Sequence, residues 1–250
     1  MYYGLYISAA GAYAQNQKVE MITNNLANVD TSGFKKELGI FEARQSEAIE
    51  RGYEQPGTRG VNDVGGGVEF KETVTDFSLG TLRATSSRTD FALPATDQFF
   101  EIERDGEALL TRSGNFHFSV DGVLRTQDGD AVLAAGGTPL TLDPSLPWRV
   151  LPGGLISQGG DTVPLSIKQV SNFRSLEKVG LNAFRANGEL TDVPAELRDV
   201  RSGSLELSTV NPMQEMVEMI ASSRAYENNI KMIQHHDGMT GSLVSRLLKA

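Results

Sequence analysis

The residues best suited to chemistry are few, and their spacing is poor for it. His235, His236 and Asp237 are adjacent, as metal ligands can be, but successive helical residues point about 100° apart, so the two imidazoles cannot easily share one ion. The remaining histidine, His117, falls on a predicted strand. The pattern favours solvated or packing histidines over a metal site, and we predict no cofactor.

Carboxylates and glycines offer two further candidate sites. Glu101, Glu103 and Asp105 alternate along one predicted strand and could form a glycosidase pair, but acids on the outward face of an exposed hairpin need no such role. The three glycines at 65–67 lack the Lys-Ser/Thr that follows in a phosphate-binding loop. The chain has no cysteine, so thiolate nucleophiles, thiolate metal sites and disulfides are all excluded. We therefore expect no enzyme and no small-molecule substrate; a periplasmic hydrolase with its site in a β-domain is the alternative from a different class.

Charge is distributed unevenly along the 250 residues. The net charge is −9, but Lys18 and Glu20 cancel within residues 1–29, and the acids and bases of residues 211–250 also cancel. The negative charge therefore lies between residues 30 and 210, which argues against nucleic acid and anionic membranes as partners. The sequence shows no apolar run long enough to cross a bilayer and no secretory signal, so we expect no direct membrane insertion. Two neutral ends can pack against copies of themselves without repulsion.

Both ends of the chain have helical periodicity. We expect the first helix to end near Asn28, and the last to begin at Pro212 with Asn211 as its cap. The apolar seam of the last segment steps by 3.5 residues on average, the coiled-coil period, although an ordinary amphipathic helix packing on its own domain is the other interpretation. The predicted subunit-packing residues are Leu5, Ala9, Ala12, Val19, Ile22 and Leu26 near the start, and Met216, Met219, Ile220, Tyr226, Ile230, Ile233, Val244 and Leu247 near the end.

The middle of the chain has the pattern of antiparallel β-structure. Asp-Gly pairs at 105–106, 121–122 and 128–129 separate alternating segments, which is a hairpin signal, and residues 161–170 predict one or two more strands. The Gly-rich residues 51–68, with Pro56, predict a loop. We expect an α+β fold with long terminal helices that pair as a coiled-coil-like tube domain. Its predicted parts are an N-terminal helix in 1–35, an extended linker in 36–70, a mainly antiparallel β-domain in 71–200 and a C-terminal helix in 201–250.

Several motifs resemble one known family. Residues 24–35, NNLANVDTSGFK, resemble the N-terminal signature NNLANVxTxGFK of flagellar rod and hook proteins. The segments LTRSGNF (110–116), GSLELSTV (203–210) and RAYEN (224–228) are similar to the blocks YTRxGxF, GxLExSNV and RAYExN of the same family. Residues 92–98 and 208–210 depart from the family pattern, which leaves the assignment to one subunit open. The motif residues singled out are Asn24, Asn25, Leu26, Ala27, Asn28, Gly33, Phe34, Lys35, Arg224 and Glu227.

The resemblance implies a structural subunit of the bacterial flagellar basal-body rod. It implies location in the basal body, with a periplasmic rod, and export through the flagellar type III channel. It also implies that the partners are other rod and hook-basal-body subunits and further copies of the chain. Because hook proteins usually carry an additional large domain, a rod subunit fits 250 residues better; the proximal FlgF class is favoured, with the distal FlgG class second and a hook-type subunit as a further alternative. An adaptor that caps or chaperones such a tube is a third interpretation.

Individual motif residues suggest specific roles. The asparagines at 24, 25 and 28 either fix the register between subunits or satisfy the frayed helix end. Gly33 is expected to supply a positive φ at the helix exit, and Phe34 to anchor the strand that follows. Arg224 and Glu227, three residues apart on a helix, either pair with each other or reach a neighbouring subunit.

Overall fold

The computed structural model describes residues 3–46, 49, 51–53, 55, 65–143, 145–151, 153–194 and 197–248. A long helix lies at each end, and eighteen strands lie between them in this described part. The predicted α+β class, with a β-rich middle, is confirmed. The chain divides into two compact units, a helical unit (residues 1–27, 37–75 and 211–250) and a β-rich unit (residues 28–36 and 76–210).

The two helices have the predicted ends. Helix α1 spans Tyr3–Ala27 and helix α2 spans Pro212–Leu247. The side chain of Asn211 accepts hydrogen bonds from the backbone N–H groups of Met213 and Gln214, so the predicted cap is confirmed. Neither of these described helices is long and apolar enough to cross a membrane.

The strands are short, and most of them form hairpins. One 3₁₀ helix spans Phe173–Ser175. In chain order the strands are β1 (Glu37–Arg44), β2 (Gly67–Thr75), β3 (Leu82–Ala84), β4 (Phe91–Ala92), β5 (Gln98–Arg104), β6 (Glu107–Thr111), β7 (His117–Phe118), β8 (Leu124–Arg125), β9 (Ala131–Val132), β10 (Trp148–Leu151), β11 (Leu155–Gln158), β12 (Asp161–Pro164), β13 (Ile167–Val170), β14 (Leu176–Val179), β15 (Ala183–Ala186), β16 (Leu190–Asp192), β17 (Arg201–Ser202) and β18 (Ser204–Glu206).

In the helical unit, α1 and α2 pack side by side and run in opposite directions. A side chain built on Gly4 would meet His236, one built on Gly11 would meet Asn229, and Lys18 Nζ lies 3.8 Å from a carboxylate oxygen of Glu218. Glycine at both positions leaves room on α1 for these side chains of α2. The antiparallel pair is therefore intramolecular; pairing into a coiled-coil-like tube stays a prediction.

The expected extended linker over 36–70 differs from what is observed. Strand β1 occupies 37–44 and pairs antiparallel with β2, and this hairpin belongs to the helical unit, as do residues 71–75. A register shift between Ile40 and Phe41 interrupts the alternation of inward and outward residues, which explains why the sequence pattern did not predict a strand. Of the predicted loop over 51–68, residues 54 and 56–64, which include Pro56, lie outside the described residues.

In the β-rich unit, the main sheet has the order β14-β15-β6-β5-β9-β8-β7, with β13 bridging β5 and β16. The predicted Asp-Gly hairpins are confirmed: Asp105-Gly106 joins β5 to β6 with φ of 53° and 80°, and the other two pairs lie in the turns between β7, β8 and β9. The predicted strands in 161–170 are β12 and β13. The core residues of this unit are Phe91, Leu93, Phe100, Ile102, Leu109, Phe116, Leu124, Val132, Leu140, Ile156, Leu165 and Ile167, with a second cluster of Phe99, Leu110, Val170 and Phe184.

We predicted that Glu101, Glu103 and Asp105 lie on the outward face of a hairpin, and this prediction is wrong for Glu101. Glu101 is buried, accepts a hydrogen bond from the Ser166 hydroxyl, and lies 3.6 Å from Lys168 Nζ. The pairing of β13 with β5 covers this part of the strand. A buried carboxylate whose charge is balanced by a neighbouring lysine supports the sheet, as expected for a structural role.

Candidate assembly site

A buried cluster of three charged side chains lies in the β-rich unit. Lys35 Nζ lies 2.6 Å from Glu206 Oε1. Arg112 Nε donates to Glu206 Oε2 at 2.9 Å, and Arg112 Nη2 lies 2.8 Å from the same oxygen. The backbone N–H of Gly80 also donates to Oε1, at 2.8 Å. The side chains of all three charged residues are at most 1% exposed. The cluster joins the start, the centre and the end of the chain, since each member comes from a different motif.

Arg112 also organises the segment that departs from the family pattern. Its Nη1 donates to the carbonyl oxygens of Ala95 and Gln98, and its Nη2 donates to the carbonyl of Leu93 at 2.9 Å. The guanidinium carbon lies 5.6 Å from the centroid of the Phe99 ring. Because the arginine binds backbone oxygens, the turn over 92–98 tolerates different side chains while it keeps the same anchor.

Burial dominates the electrostatics of the cluster. It lowers the pKa of Lys35 and of Arg112 below their ordinary values, and the negative charge of Glu206 opposes this in both cases. Two buried cations share one carboxylate. Glu206 is therefore the member whose charge the other two need most.

The N-terminal signature meets the other motifs through backbone contacts. Gly33 has a φ of +68°, as predicted, and a Cβ at this position would lie 2.5 Å from the carbonyl carbon of Arg112. The N–H of Gly33 donates to the Glu206 carbonyl at 2.8 Å, and the N–H of Thr209 donates to the Phe34 carbonyl at 3.1 Å. Phe34 is fully buried, and its ring lies 4.2 Å from Lys178 Nζ. Only glycine fits this crossing of two chain segments.

The signature asparagines make bonds within the chain. Asn25 is buried and binds both peptide groups of Glu37: its Nδ2 donates to the carbonyl, and its Oδ1 accepts from the N–H, both at 2.9 Å. Asn24 donates to the carboxylate of Glu37 at 3.1 Å, and Asn28 accepts from the Thr31 hydroxyl at 3.2 Å. Asn25 therefore fixes the start of β1 to α1.

Comparison with known proteins gives matches at both ends and along the whole length. Residues 5–35 match the family "Flagella basal body rod protein", and residues 201–246 match "Flagellar basal body rod FlgEFG protein C-terminal". The rod protein FlgF of Caulobacter vibrioides is 29% identical over 98% of both chains. The FlgG proteins of Buchnera aphidicola and Borreliella burgdorferi are each 32% identical, over 96% and 95% of this chain and 97% and 96% of their own. The chain belongs to the flagellar basal-body rod protein family. It is a structural subunit of the flagellar basal body.

The family matches coincide with the motif cluster and the helix pair. The N-terminal match ends at Lys35, and the C-terminal match contains Glu206. Arg112, the third member, comes from the central block. Neither Arg112 nor Glu206 is among the predicted site residues, although both lie in the family motifs. The signal available in the sequence was a charged residue close to apolar neighbours: Arg112 follows Leu109 and Leu110, and Glu206 lies between Leu205 and Leu207.

The predicted packing residues on α1 differ in how far they are buried within the chain. Ala12 and Ile22 are buried within the chain, and Leu5, Val19 and Leu26 are half-buried, while Ala9 is exposed. The large exposed apolar side chains of this helix are instead Tyr3, Tyr6 and Tyr13. Most of the predicted packing residues of α1 are thus at least half-buried within the chain, whereas Ala9 and the three tyrosines are exposed.

The predicted packing residues on α2 are mostly outward. Met219, Ile230 and Ile233 are half-buried, whereas Met216, Ile220, Tyr226, Val244 and Leu247 are exposed. The motif residues Arg224 and Glu227 are exposed, as is Ala27 on α1, and no ion pair joins Arg224 to Glu227 in the described structure. The seam predicted as one stripe is therefore divided between a face that meets α1 and a face that meets solvent.

Two further groups of polar side chains are candidates for a metal or ligand site. Among the described residues, no group of three His, Asp or Glu side chains is placed to hold a metal ion, and His236 lies against α1 at Gly4. A cleft in the β-rich unit is lined by Arg104, Asp128 and Asp130, but Arg104 Nε and Nη2 bind Asp130 in a bidentate pair at 2.9 and 2.6 Å. That pair raises the pKa of Arg104 and engages the carboxylate fully.

Proposed function

We propose that this rod protein assembles through the outward faces of α1 and α2, which pack against equivalent helices of neighbouring subunits to form the wall of a tube. The observation that carries the proposal is the concentration of exposed apolar side chains on α2. Ten large apolar residues of this one helix are exposed: Met213, Met216, Val217, Ile220, Tyr226, Met232, Met239, Leu243, Val244 and Leu247. So many exposed large apolar side chains on one helix are typical of an interaction site.

The energetics favour assembly. Fully burying one large apolar side chain stabilises by about 1.5–3 kcal/mol, so several per contact offset the entropy lost on association. The charges of residues 1–29 and of residues 211–250 cancel within each segment, so equivalent helices do not repel one another.

The FlgF class is the subtype that we propose. The alignment with the Caulobacter FlgF runs over 247 positions and fits within the 250-residue chain. The alignments with the FlgG proteins run over 261 and 263 positions, longer than the chain itself, so those relatives need insertions. This difference in length supports the FlgF class and, with it, a proximal rod position.

The test compares wild type with a double variant, Met216→Ser with Ile220→Ser, and with Val120→Ser as the matched control. Val120 is fully exposed, like a free side chain, in the β-rich unit. Sedimentation velocity of the full-length protein at rising concentration should show self-association for wild type and the control, and a loss of it for the double variant. In cells, deletion of the gene should stop flagella before the hook, and only wild type and the control should restore motility. Equal assembly and motility of the double variant would refute the proposal.

A further inference from the structure

Methionine is concentrated on one helix of the chain. Of the six methionines that the structure describes, Met21 lies on α1 and the other five lie on α2. The five are Met213, Met216, Met219, Met232 and Met239. At 1.5 Å per residue they are spread over about 39 Å of the helix. The chain has no cysteine, so the thioethers of methionine are its only sulfur groups.

The side chains of the α2 methionines form two groups. Met213, Met216 and Met219 follow one another at steps of three residues, which places them on one side of the first two turns. Met232 and Met239 are seven residues apart, close to two full turns, so they also share a side. Met219 is half-buried, and the other four are 39–72% exposed. A surface that covers one methionine of a group therefore also meets its neighbours.

Met21 has different surroundings. Its sulfur lies 3.3 Å from the position that a Cβ on Gly39 would take, so it packs against strand β1 of the same unit. The side chain of Met21 is half-buried. A dissolved oxidant therefore has less access to Met21 than to the four exposed methionines of α2.

Sulfur distinguishes these methionines from the other exposed apolar residues of α2. Hydrogen peroxide oxidises a thioether: the sulfur lone pair forms an S–O bond, the O–O bond of the peroxide breaks, and the second oxygen leaves as water. The sulfur loses two electrons, and the peroxide gains them. The product, methionine sulfoxide, is polar, and methionine sulfoxide reductases convert it back to methionine. Leu243, Val244 and Leu247 on the same helix carry no group that reacts in this way.

The change in polarity matters only where a second surface covers the side chain. In the free subunit a sulfoxide on α2 faces water, which satisfies its oxygen. Under a neighbouring helix the same oxygen would be a buried hydrogen-bond acceptor without a partner, which is unfavourable. Contacts rich in methionine are sensitive to oxidation for this reason. Oxidation of the free subunit therefore opposes association but leaves the subunit's own fold intact.

Resting on the proposed function, we propose that the α2 methionines are a redox-sensitive modification site that controls association. Peroxide converts them to sulfoxides in the free subunit, which then no longer packs tightly against its neighbours, and enzymatic reduction restores the contact. In an assembled subunit the same sulfur atoms are covered and protected. Assembly and oxidation therefore exclude each other at this helix.

Peroxide treatment of the full-length protein tests the proposal. Dilute wild type is treated with hydrogen peroxide, its sulfoxides are located by mass spectrometry of peptides, and sedimentation velocity at rising concentration gives the association constant. We expect the exposed methionines of α2 to react before Met21, and association to weaken about tenfold or more. Circular dichroism of the dilute protein should stay unchanged, and methionine sulfoxide reductases should restore association. Sulfoxides on α2 with unchanged association, or with a loss of helix, overturn the inference.

Variants identify the sulfur atoms that matter. A five-fold variant carries leucine, which is apolar and similar in size but lacks sulfur, at every methionine of α2: Met213→Leu, Met216→Leu, Met219→Leu, Met232→Leu and Met239→Leu. The readout is the change that peroxide causes in its association constant, and we expect no change, whatever the constant before treatment. Met21→Leu is the matched control and should lose association on oxidation as wild type does. A five-fold variant that peroxide weakens as much as wild type overturns the inference.

The order of association and oxidation provides a further test. Protein that is concentrated before peroxide is added should acquire fewer sulfoxides on α2 than dilute protein, whereas Met21 should react equally in both samples. Equal sulfoxide yields on α2 in dilute and associated protein would show that association leaves these methionines open, and would overturn the inference.

Untreated wild type separates this inference from the proposed function. Untreated protein that does not self-associate at any concentration refutes the proposed function and the inference with it. Protein that self-associates equally well with and without sulfoxides on α2 retains the proposed function and refutes the inference alone.

Discussion

The β-rich unit and the helical unit treat their difficult side chains in opposite ways. The β-rich unit buries three charges, and Lys35, Arg112 and Glu206 satisfy one another inside it. The helical unit instead leaves ten large apolar side chains of α2 in solvent. We therefore expect the buried charge cluster to stabilise the β-rich unit, and the exposed apolar side chains of α2 to serve the association that we propose.

The strongest test of this contrast removes the shared anion. Glu206→Gln keeps the shape but leaves two buried cations without a carboxylate, and we expect a loss of about 3–5 kcal/mol in the free energy of unfolding. Trp148, the single tryptophan, lies in the β-rich unit, so its fluorescence during denaturant unfolding reports on that unit. Glu189→Gln, at an exposed position of the same unit, should change the value by less than about 0.5 kcal/mol. Equal losses in the free energy of unfolding for Glu206→Gln and Glu189→Gln would show that the buried charge cluster does not stabilise the β-rich unit.

A second test concerns the contact between Gly33, in the N-terminal signature, and the backbone of Arg112, in the central motif. Gly33→Ala places a methyl group 2.5 Å from the backbone of Arg112 at a φ of +68°, and we expect a loss of about 2–4 kcal/mol from strain and overlap.

Gly106→Ala is the matched control, with a φ of +80° but open space around it, so it should lose only about 1 kcal/mol. The free energy of unfolding of both variants is measured by Trp148 fluorescence. The difference between them gives the cost of the overlap between the added methyl group and the Arg112 backbone. A difference near zero would mean that the segments can move apart at no cost.

The sequence predicted elements with local causes and missed features that depend on long-range packing. Asn211 with Pro212 and the Asp-Gly turns encode their geometry within a few residues, and the structure confirms them. The pairing of β1 with β2 joins residues about thirty apart along the chain and contains a bulge, so no local pattern predicted it.

In the candidate assembly site, too, the features with a local cause were predicted and the long-range contacts were not. The positive φ of Gly33 follows from its turn and was predicted, whereas the meeting of Lys35 with Glu206 depends on a separation of 171 residues. The 3.5-residue period of α2 predicted an apolar seam, but a period cannot tell which of its residues meet α1 and which meet solvent. Ile230 and Ile233 are half-buried while Ile220 is exposed, although all three are isoleucines of one helix.

A third test has a smaller effect and a defined pH dependence. Lys35→Met removes one of the two cations and leaves Glu206 paired with Arg112 and Gly80, so we expect a loss of about 1–2 kcal/mol. Burial lowers the pKa of Lys35 below 10.5, so between the folded-state pKa and 10.5 the unfolded chain binds more protons than the folded one. The contribution of Lys35 to stability therefore rises as the pH rises through that window.

The measurement is the free energy of unfolding of wild type and Lys35→Met at pH 7 and near pH 10. The difference between them should increase with pH in favour of the wild type. A difference that shrinks with pH would mean that the lysine is more easily protonated in the fold than in the unfolded chain.

The smallest expected effect on the stability of the chain distinguishes the two faces of the helix pair. Ile22 is fully buried and Ile220 is 52% exposed, and both are isoleucines of the terminal helices. Ile220→Ser should change the helical unit's stability by less than about 0.5 kcal/mol, measured by circular dichroism of the monomer at low concentration. Ile22→Ser should lose about 3–5 kcal/mol, because it leaves a cavity and buries a hydroxyl group.

Self-association then completes the comparison. Dilute Ile220→Ser protein should be as stable as wild type yet associate more weakly at high concentration, because the side chain it lacks contributes only when a second subunit covers it. A residue that matters to the isolated chain cannot show this separation, since its loss lowers stability at every concentration. If Ile220→Ser destabilised the dilute monomer as much as Ile22→Ser, Ile220 would belong to the core of its own chain, and the outward face of α2 would begin elsewhere on the helix.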